Sequence, residues 1–408
     1  MKKLLIACMA VCALSACTQT KQVPLSFNVE NRGADTKLPQ ILPVEQLPSV
    51  AKLPDPFAWS DGSGRCKTFK EWTRRRTEII HEISSYELGL RPPRPADMTA
   101  TYSNGVLEVV IKDNGQTLTL SSPVTMPKGE GPFPVIIGMN RPTGTMAAEL
   151  FEDFIQIPYL HNQTALYGYG VPEKEGPFFQ MYPHLKEAGD YCAWSWGISR
   201  LIDGLEMVQS QLNADMSRIG LTGCSYAGKM TLFGAAFDER IALAIVQESG
   251  GGGVNAWRVS ETIGEVEKIS NTNYSWFMKR LRNDFDGKAD RLPYDHHELI
   301  ALIAPRAVLV LGNPDFEWLG DPSGYVATEA AMEVWKAMGV EDRIGYDFSP
   351  GHPHCRVNDS QHEAVVAFVD KFLRGATETN TLIRNTPVET IDPTEWISEW
   401  AGYQLKMK

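Results

Sequence analysis

Past Cys17 the chain has no apolar run of the ~18 residues that a membrane-spanning helix needs, which excludes a bundle of such helices. It is also short of positive charge: 39 Lys and Arg face 50 Asp and Glu, for a formal net charge of −11. A field of that sign repels phosphate, so nucleic acid is excluded as a partner. No basic cluster overrules this, since Arg74–Arg76 sits between Glu71 and Glu78 and reads as a solvated helix face. No internal repeat is present, which excludes a solenoid or propeller. Cysteine is scarce, with seven in 408 residues, three of them at or before Cys17. The other four, Cys66, Cys192, Cys224 and Cys355, permit disulfides in an exported chain, but spacing cannot choose among their three pairings.

What is present begins with a targeting segment. Residues 1–16 open with Lys2 and Lys3, run apolar from Leu4 to Leu14 and end on small residues, the order of a secretory signal. "LSAC" at 14–17 has the form of a bacterial lipobox, in which Cys17 becomes the lipidated first residue. Thr18 after it, rather than Asp, points to the outer membrane of a Gram-negative envelope. The lipid is the only membrane attachment expected. Cleavage removes two lysines and takes the net charge from −11 to −13. Residues 17–52, polar and proline-bearing, read as a tether that then wraps onto the domain.

From residue 53 the periodicities become informative. "TFKEWTRRRTEIIHEISSYELG" (68–89) has helical spacing and a terminal glycine. Residues 98–127 alternate apolar and polar about Asn104-Gly105 and Asn114-Gly115, an antiparallel lead-in to a sheet. "FPVIIGMN" (133–140) reads as a buried central strand. Then strands are expected at 191–196, 218–223, 241–249, 306–313 and, last, 343–349. Helices are expected at 198–212, 227–237, 327–339 and 359–373. Such alternation implies an α/β domain over 53–376, with a mainly parallel sheet covered on both faces. Residues 377–408 read as a peripheral tail on or near it.

The chemistry centres on "GLTGCSYAGKM" (220–230). Ser225 lies between a strand and a helix among glycines, the arrangement of a nucleophile elbow, with Ala227 where the usual pattern has its last glycine. The alternative is a serine that merely caps a helix. In a fold of this kind the base comes late in the chain, and His352 and His354 in "PGHPHCRV" follow the last expected strand. Cys224 precedes Ser225 and Cys355 follows His354. If serine and histidine meet, those cysteines come within bridging range, about 4.4–6.8 Å between Cα atoms. Two buried free thiols, or a metal held by His352, His354 and Cys355, are the other readings.

These residues resemble the glucuronoyl esterases, family 15 of the carbohydrate esterases. "GCSYAGK" is similar to that family's "GCSRxGK". "WSWGISRLIDGLE" (194–206), "DERIALAIVQESGGGG" (238–253), "AWR" (256–258) and "HC" (354–355) follow in the same order, so the resemblance covers about residues 55–375. It implies the α/β-hydrolase fold, no metal or cofactor, and cleavage of the ester between glucuronic acid on xylan and lignin alcohols. It makes Ser225 the nucleophile, His354 the base and Glu248, 23 residues past the serine, the acid. It implies a Cys224–Cys355 disulfide, a sugar contact from Lys229 and a pocket wall from Trp318. Asp315 and Glu317, after the strand at 306–313, are alternative acids. Two features depart from the family. Tyr226 stands where an arginine helps stabilise the oxyanion, and Ala256 replaces a fungal cysteine.

The expected mechanism has His354 take the Ser225 proton during attack and return it to the leaving alcohol. Tyr226 N–H, with the loop at Asn140–Arg141 as a second candidate, would hold the oxyanion. A monomeric enzyme is expected. An acetyl xylan esterase on the same scaffold and a catalytically dead binding lipoprotein are the rivals, and fold analogy alone does not fix the substrate.

Overall fold

The computed structural model describes residues 23–167, 174, 176–273, 275–386, 391–397 and 400–407. The expected signal at 1–16 and Cys17 lie outside the described residues. Among those described, no helix is long and apolar enough to cross a membrane.

The alternating stretch folds into antiparallel strands β1 (Asp97–Ser103), β2 (Val106–Asp113) and β3 (Gln116–Pro123). Its two turns fall on the predicted pairs, where both Asn and both Gly take the positive φ that a tight hairpin turn requires. Just past β3, Thr125 makes an antiparallel bridge to Gln156 of the main sheet, but the three strands themselves do not join it. They form a separate three-stranded sheet.

The strands of the main sheet are, at its centre, apolar runs without alternation, as burial on both faces requires. They are β4 (Phe133–Met139), β5 (Ile155–Tyr159), β6 (Ala214–Cys224), β7 (Ile241–Gln247), β8 (Ala307–Leu311), β9 (Ile344–Asp347) and β10 (Arg384–Asn385). Among the described residues they lie in the order β10-β9-β8-β7-β6-β4-β5, and every neighbouring pair is parallel. The expectation that 343–349 is the last strand is corrected: β10, too short to show a period, pairs with β9 beyond it. β5 was not foreseen either. Pro158 interrupts it, which only an edge strand tolerates.

Helices cover both faces: α1 (Phe69–Ile83), α2 (Pro177–Met181), α3 (Asp190–Leu212), α4 (Tyr226–Phe237), α5 (Trp257–Ser260), α6 (Lys279–Phe285), α7 (His296–Ala301), α8 (Asp321–Ala337) and α9 (Asp359–Val369). Thr68 and Glu71 form the capping box that starts α1. The strand expected at 191–196 is instead the first half of α3. Every residue of α3 from Asp190 to Leu205 is buried, and a run apolar all round looks the same for a buried strand and a buried helix. Glycines let α3 press against its neighbours. A Cβ on Gly197 would meet Tyr159 Oη at 2.1 Å, and one on Gly204 would meet Val109 Cγ2 at 2.2 Å. The antiparallel sheet therefore packs on α3, tied to the main sheet by the Thr125–Gln156 bridge.

The polar N-terminal stretch is fixed to the domain from its first described residues, so only a shorter segment could serve as a tether. Phe27 N–H donates to Glu239 O at 2.9 Å, Arg32 pairs with buried Glu239 at 2.8 Å, and Val44 and Leu47 are buried. At the other end Trp400 and Leu405 are buried, and Lys406 N–H donates to Lys67 O at 2.9 Å.

One topological feature places the site. The chain leaves β4 for the edge strand β5, then returns to the other side of β4 as β6. Connections part in opposite directions there, opening a crevice at the carboxyl ends of β4 and β6, where open α/β sheets bind ligands.

Candidate active site

β6 ends at Cys224 and α4 begins at Tyr226, so Ser225 alone makes the turn, at φ 61° and ψ −128°. A positive φ costs a non-glycine residue about 1–3 kcal/mol and persists only where the surroundings enforce it. The neighbouring glycines explain how the turn is accommodated. A Cβ on Gly223 would sit 2.4 Å from Ala227 O, and one on Gly228 2.4 Å from Gln247 O. The Ser225 hydroxyl makes no capping bond to α4, which sets aside the helix-cap reading.

Glu248 directly follows β7 and has 1% exposure, with φ 45° and its N–H on Leu311 O at 2.7 Å. Its Oε2 accepts from His354 Nδ1 at 2.5 Å and from Asn313 Nδ2 at 3.3 Å. Its Oε1 accepts from Cys355 N–H at 2.8 Å and Gln247 Nε2 at 3.2 Å. Four donors satisfy a carboxylate that burial would otherwise make costly. Because a carboxylate only accepts, the His354 proton is held on Nδ1 and Nε2 keeps the lone pair that a base needs. His354 leaves 33% of its side chain exposed, facing the crevice rim, and its ring lies 4.6 Å from that of Phe316.

The other candidates make their hydrogen bonds elsewhere, although His352 Nδ1 lies 3.9 Å from Glu248 Oε1. His352 is tied to backbone carbonyls of Pro353 and Ser349, at 3.2 and 3.1 Å. Asp315 Oδ2 accepts from Gly351 N–H at 2.6 Å, and Glu317 is exposed. Neither reaches His354. Cys224 and Cys355 are bonded, with Cα atoms 5.7 Å apart, so Ser225 and His354 are brought to one end of the sheet by their neighbours. Sulfurs bonded to each other are not thiolate ligands, which removes the metal reading of Cys355. No hydrogen bond joins Ser225 Oγ to His354 among the described residues; catalytic bonds of this kind often tighten only around substrate. Cys66 and Cys192 remain free and buried, and burial pushes both thiols up to about 12.

Beside Ser225 lies a small cavity of about 80 Å³, walled by Lys229, Trp276 and Trp318 among others. Lys229 is 3% exposed, with Nζ on Glu267 Oε2 at 2.9 Å and 5.0 Å from the centre of the Trp276 ring. A cation in the first turn of a helix opposes its dipole, and Glu267 compensates for it. Thr272 donates to the other Glu267 oxygen at 2.7 Å. A larger cavity of about 840 Å³ lies under the N-terminal wrap, but it contains neither Ser225 nor His354, so chemistry rather than size decides the site.

Residues 109–339 match the family described as glucuronyl esterase, fungi. A 4-O-methyl-glucuronoyl methylesterase of Phanerochaete carnosa is 39% identical over 370 residues, covering 86% of this chain and 88% of that one. This chain belongs to the glucuronoyl esterase family. Solved relatives share the fold throughout. The glucuronoyl esterase catalytic domain of Hypocrea jecorina superposes with a TM-score of 0.80 at 33% identity, covering 88% of this chain and 98% of that one. A serine-to-alanine glucuronoyl esterase from Sporotrichum thermophile, in complex with methyl 4-O-methyl-β-D-glucopyranuronate, gives 0.83 at 30%, covering 91% and 99%.

Within this glucuronoyl esterase family site, Tyr226 is a departure with a definite setting. As the first residue of α4, its N–H has no intrahelical acceptor and is available to an oxyanion. Its phenol oxygen accepts from Asn140 Nδ2 at 2.9 Å. One hydrogen of the Asn140 amide is therefore spent on Tyr226. Glu267, Asn271, Trp276 and Phe316 line the cavity and were not foreseen. The first three fall in a stretch without periodicity, where no local signal marks them. Phe316 lies two residues before Trp318, whose place on a loop after an expected strand was the only hint.

Proposed function

We propose that the chain hydrolyses esters of 4-O-methyl-glucuronic acid, those joining glucuronoxylan to lignin alcohols, with the uronate as the acyl half. The observation that carries this is the His354–Glu248 bond at 2.5 Å, beside an elbow serine and a small polar cavity. Ser225 Oγ attacks the ester carbonyl while His354 Nε2 takes its proton. Glu248 holds the ring and stabilises the imidazolium. Tyr226 N–H receives the oxyanion. His354 returns the proton to the leaving alcohol, and water then repeats the sequence on the acyl-enzyme. Lys229 and Glu267, already paired, supply donor and acceptor to the sugar hydroxyls, and Trp318 covers the ring. The reading extends to location: a lipidated Cys17 would hold the enzyme at the cell envelope, supported by the order of charge, apolar run and small residues before it.

The test is hydrolysis of benzyl glucuronate beside an acetylated xylo-oligosaccharide, by wild type and Ser225→Ala. Acid release from the uronate ester, lost in the variant, is expected. Acetate release without uronate cleavage would turn the substrate around and overturn the reading.

A further inference from the structure

Three polar side chains from neighbouring strand ends form a line that ends on Tyr226, the residue after the nucleophile. His161 lies just past β5, Asn140 directly follows β4, and Tyr226 lies just past β6; these strands are adjacent in the sheet. His161 Nδ1 is hydrogen-bonded to Asn140 Oδ1, and Asn140 Nδ2 to Tyr226 Oη at 2.9 Å. We propose that His161 and Asn140 are positioning residues that set the Tyr226 phenol as a hydrogen-bond donor to the oxyanion, in place of the family arginine. This rests on the reading of Ser225 as the nucleophile.

The directions of the bonds follow from the donor inventory. An amide oxygen only accepts, so His161 Nδ1 must donate to it. The amide is then committed to presenting its NH₂ to the phenol. Having accepted a bond at its oxygen, the phenol has its own proton left to give. No described residue takes that proton. Burial keeps each member in the required state. His161 is 4% exposed, and its Nε2 is buried without a partner, so a second proton there would be a buried, unpaired charge. Burial accordingly lowers its pKa to about 4. Burial likewise raises the Tyr226 hydroxyl, which stays a neutral donor.

The geometry is locked on every side. Asn140 holds φ 64°, with its N–H on Tyr159 O at 2.9 Å. The His161 ring meets Trp194 edge-on at 5.0 Å. The Tyr226 ring sits against Tyr167 at 4.8 Å and is stacked with Trp276 at 6.5 Å, and its carbonyl accepts from Tyr191 Oη at 3.0 Å. A donor fixed before the reaction costs no reorganisation when charge develops, which is where such groups gain their effect.

The experiment is a double-mutant cycle on whichever ester the wild type cleaves fastest, so that an error in substrate assignment does not affect it. Tyr226→Phe keeps the ring and removes the proton. Asn140→Asp puts a carboxylate where the amide was, which takes the phenol proton inward. Each change is expected to lower kcat by roughly 10²-fold with KM within about twofold. The double variant is expected to be no slower than Tyr226→Phe alone. His161→Phe, which frees the amide to turn, provides a second route should Asn140→Asp fold poorly. It is expected to lower kcat in the wild type and to do nothing further in Tyr226→Phe. Losses that multiply, a loss carried by KM, or a Tyr226→Phe variant with unchanged kcat would overturn the proposal.

Discussion

Glu248 and Asp315 are both carboxylates just beyond strand ends, yet only one faces His354. Glu248→Gln leaves His354 Nδ1 beside an amide that can turn its NH₂ toward the ring and favour the wrong tautomer, so kcat is expected to fall by roughly 10³–10⁴-fold. Asp315→Asn, whose carboxylate serves Gly351 N–H, is expected to stay within about threefold of wild type in the same assay. Asp321 offers a second test at this scale, in stability. Burial, with the nearby Glu248 charge adding to it, raises its carboxyl to about 7. The unfolded chain loses that proton near pH ~3.9, so between there and about 7 the native state binds one more proton than the unfolded state. Stability therefore falls as pH rises through that window. Asp321→Asn removes the fall: its melting temperature should match wild type near pH 4 and exceed it at pH 8, by on the order of 2–4 kcal/mol in unfolding free energy. Ser225 was legible because its strand and helix flank it directly. Glu248 was legible only through family resemblance, and Glu267 not at all. It meets Lys229 from 38 residues away, across a stretch with no period.

The elements were read best where period and length agree. α1, α9, β4, β7 and β8 lie within stretches whose patterning specified them, while β6, α4 and α8 start before theirs, at Ala214, Tyr226 and Asp321. α3 was halved because a helix buried all round carries no polar face to give its period. β10, with two residues, is fixed only by the strand beside it. The disulfide joins two of these elements, the β6–α4 elbow and the loop between β9 and α9, over a separation of 131 residues. Closing a loop of that length restricts the unfolded chain by about 4–5 kcal/mol on the chain-entropy model. Cys224→Ala with Cys355→Ala should lose stability of that order in urea unfolding. Its kcat should fall as well, because the bond ties the loop of the base to the turn of the nucleophile. Full retention of both would mean that packing alone holds the two loops.

Over the whole molecule, a parallel sheet changes winding direction at β4, and the crevice so formed collects the residues that follow β4, β6, β7 and β9. That convergence makes residues 140, 225, 248 and 354 neighbours. The large cavity under the wrap contains neither Ser225 nor His354, and the net charge of −11 suits an enzyme whose product is an acid that must leave. The central claim is that Ser225 carries the uronate, not the alcohol side, through the reaction. The most direct measurement is rapid acid quenching during turnover of benzyl glucuronate, followed by mass analysis of the peptide containing Ser225. A glucuronoyl adduct on that peptide, absent in Ser225→Ala, is the predicted result. An acetyl adduct from acetylated xylan with no uronoyl counterpart would contradict it, as would turnover that survives in Ser225→Ala.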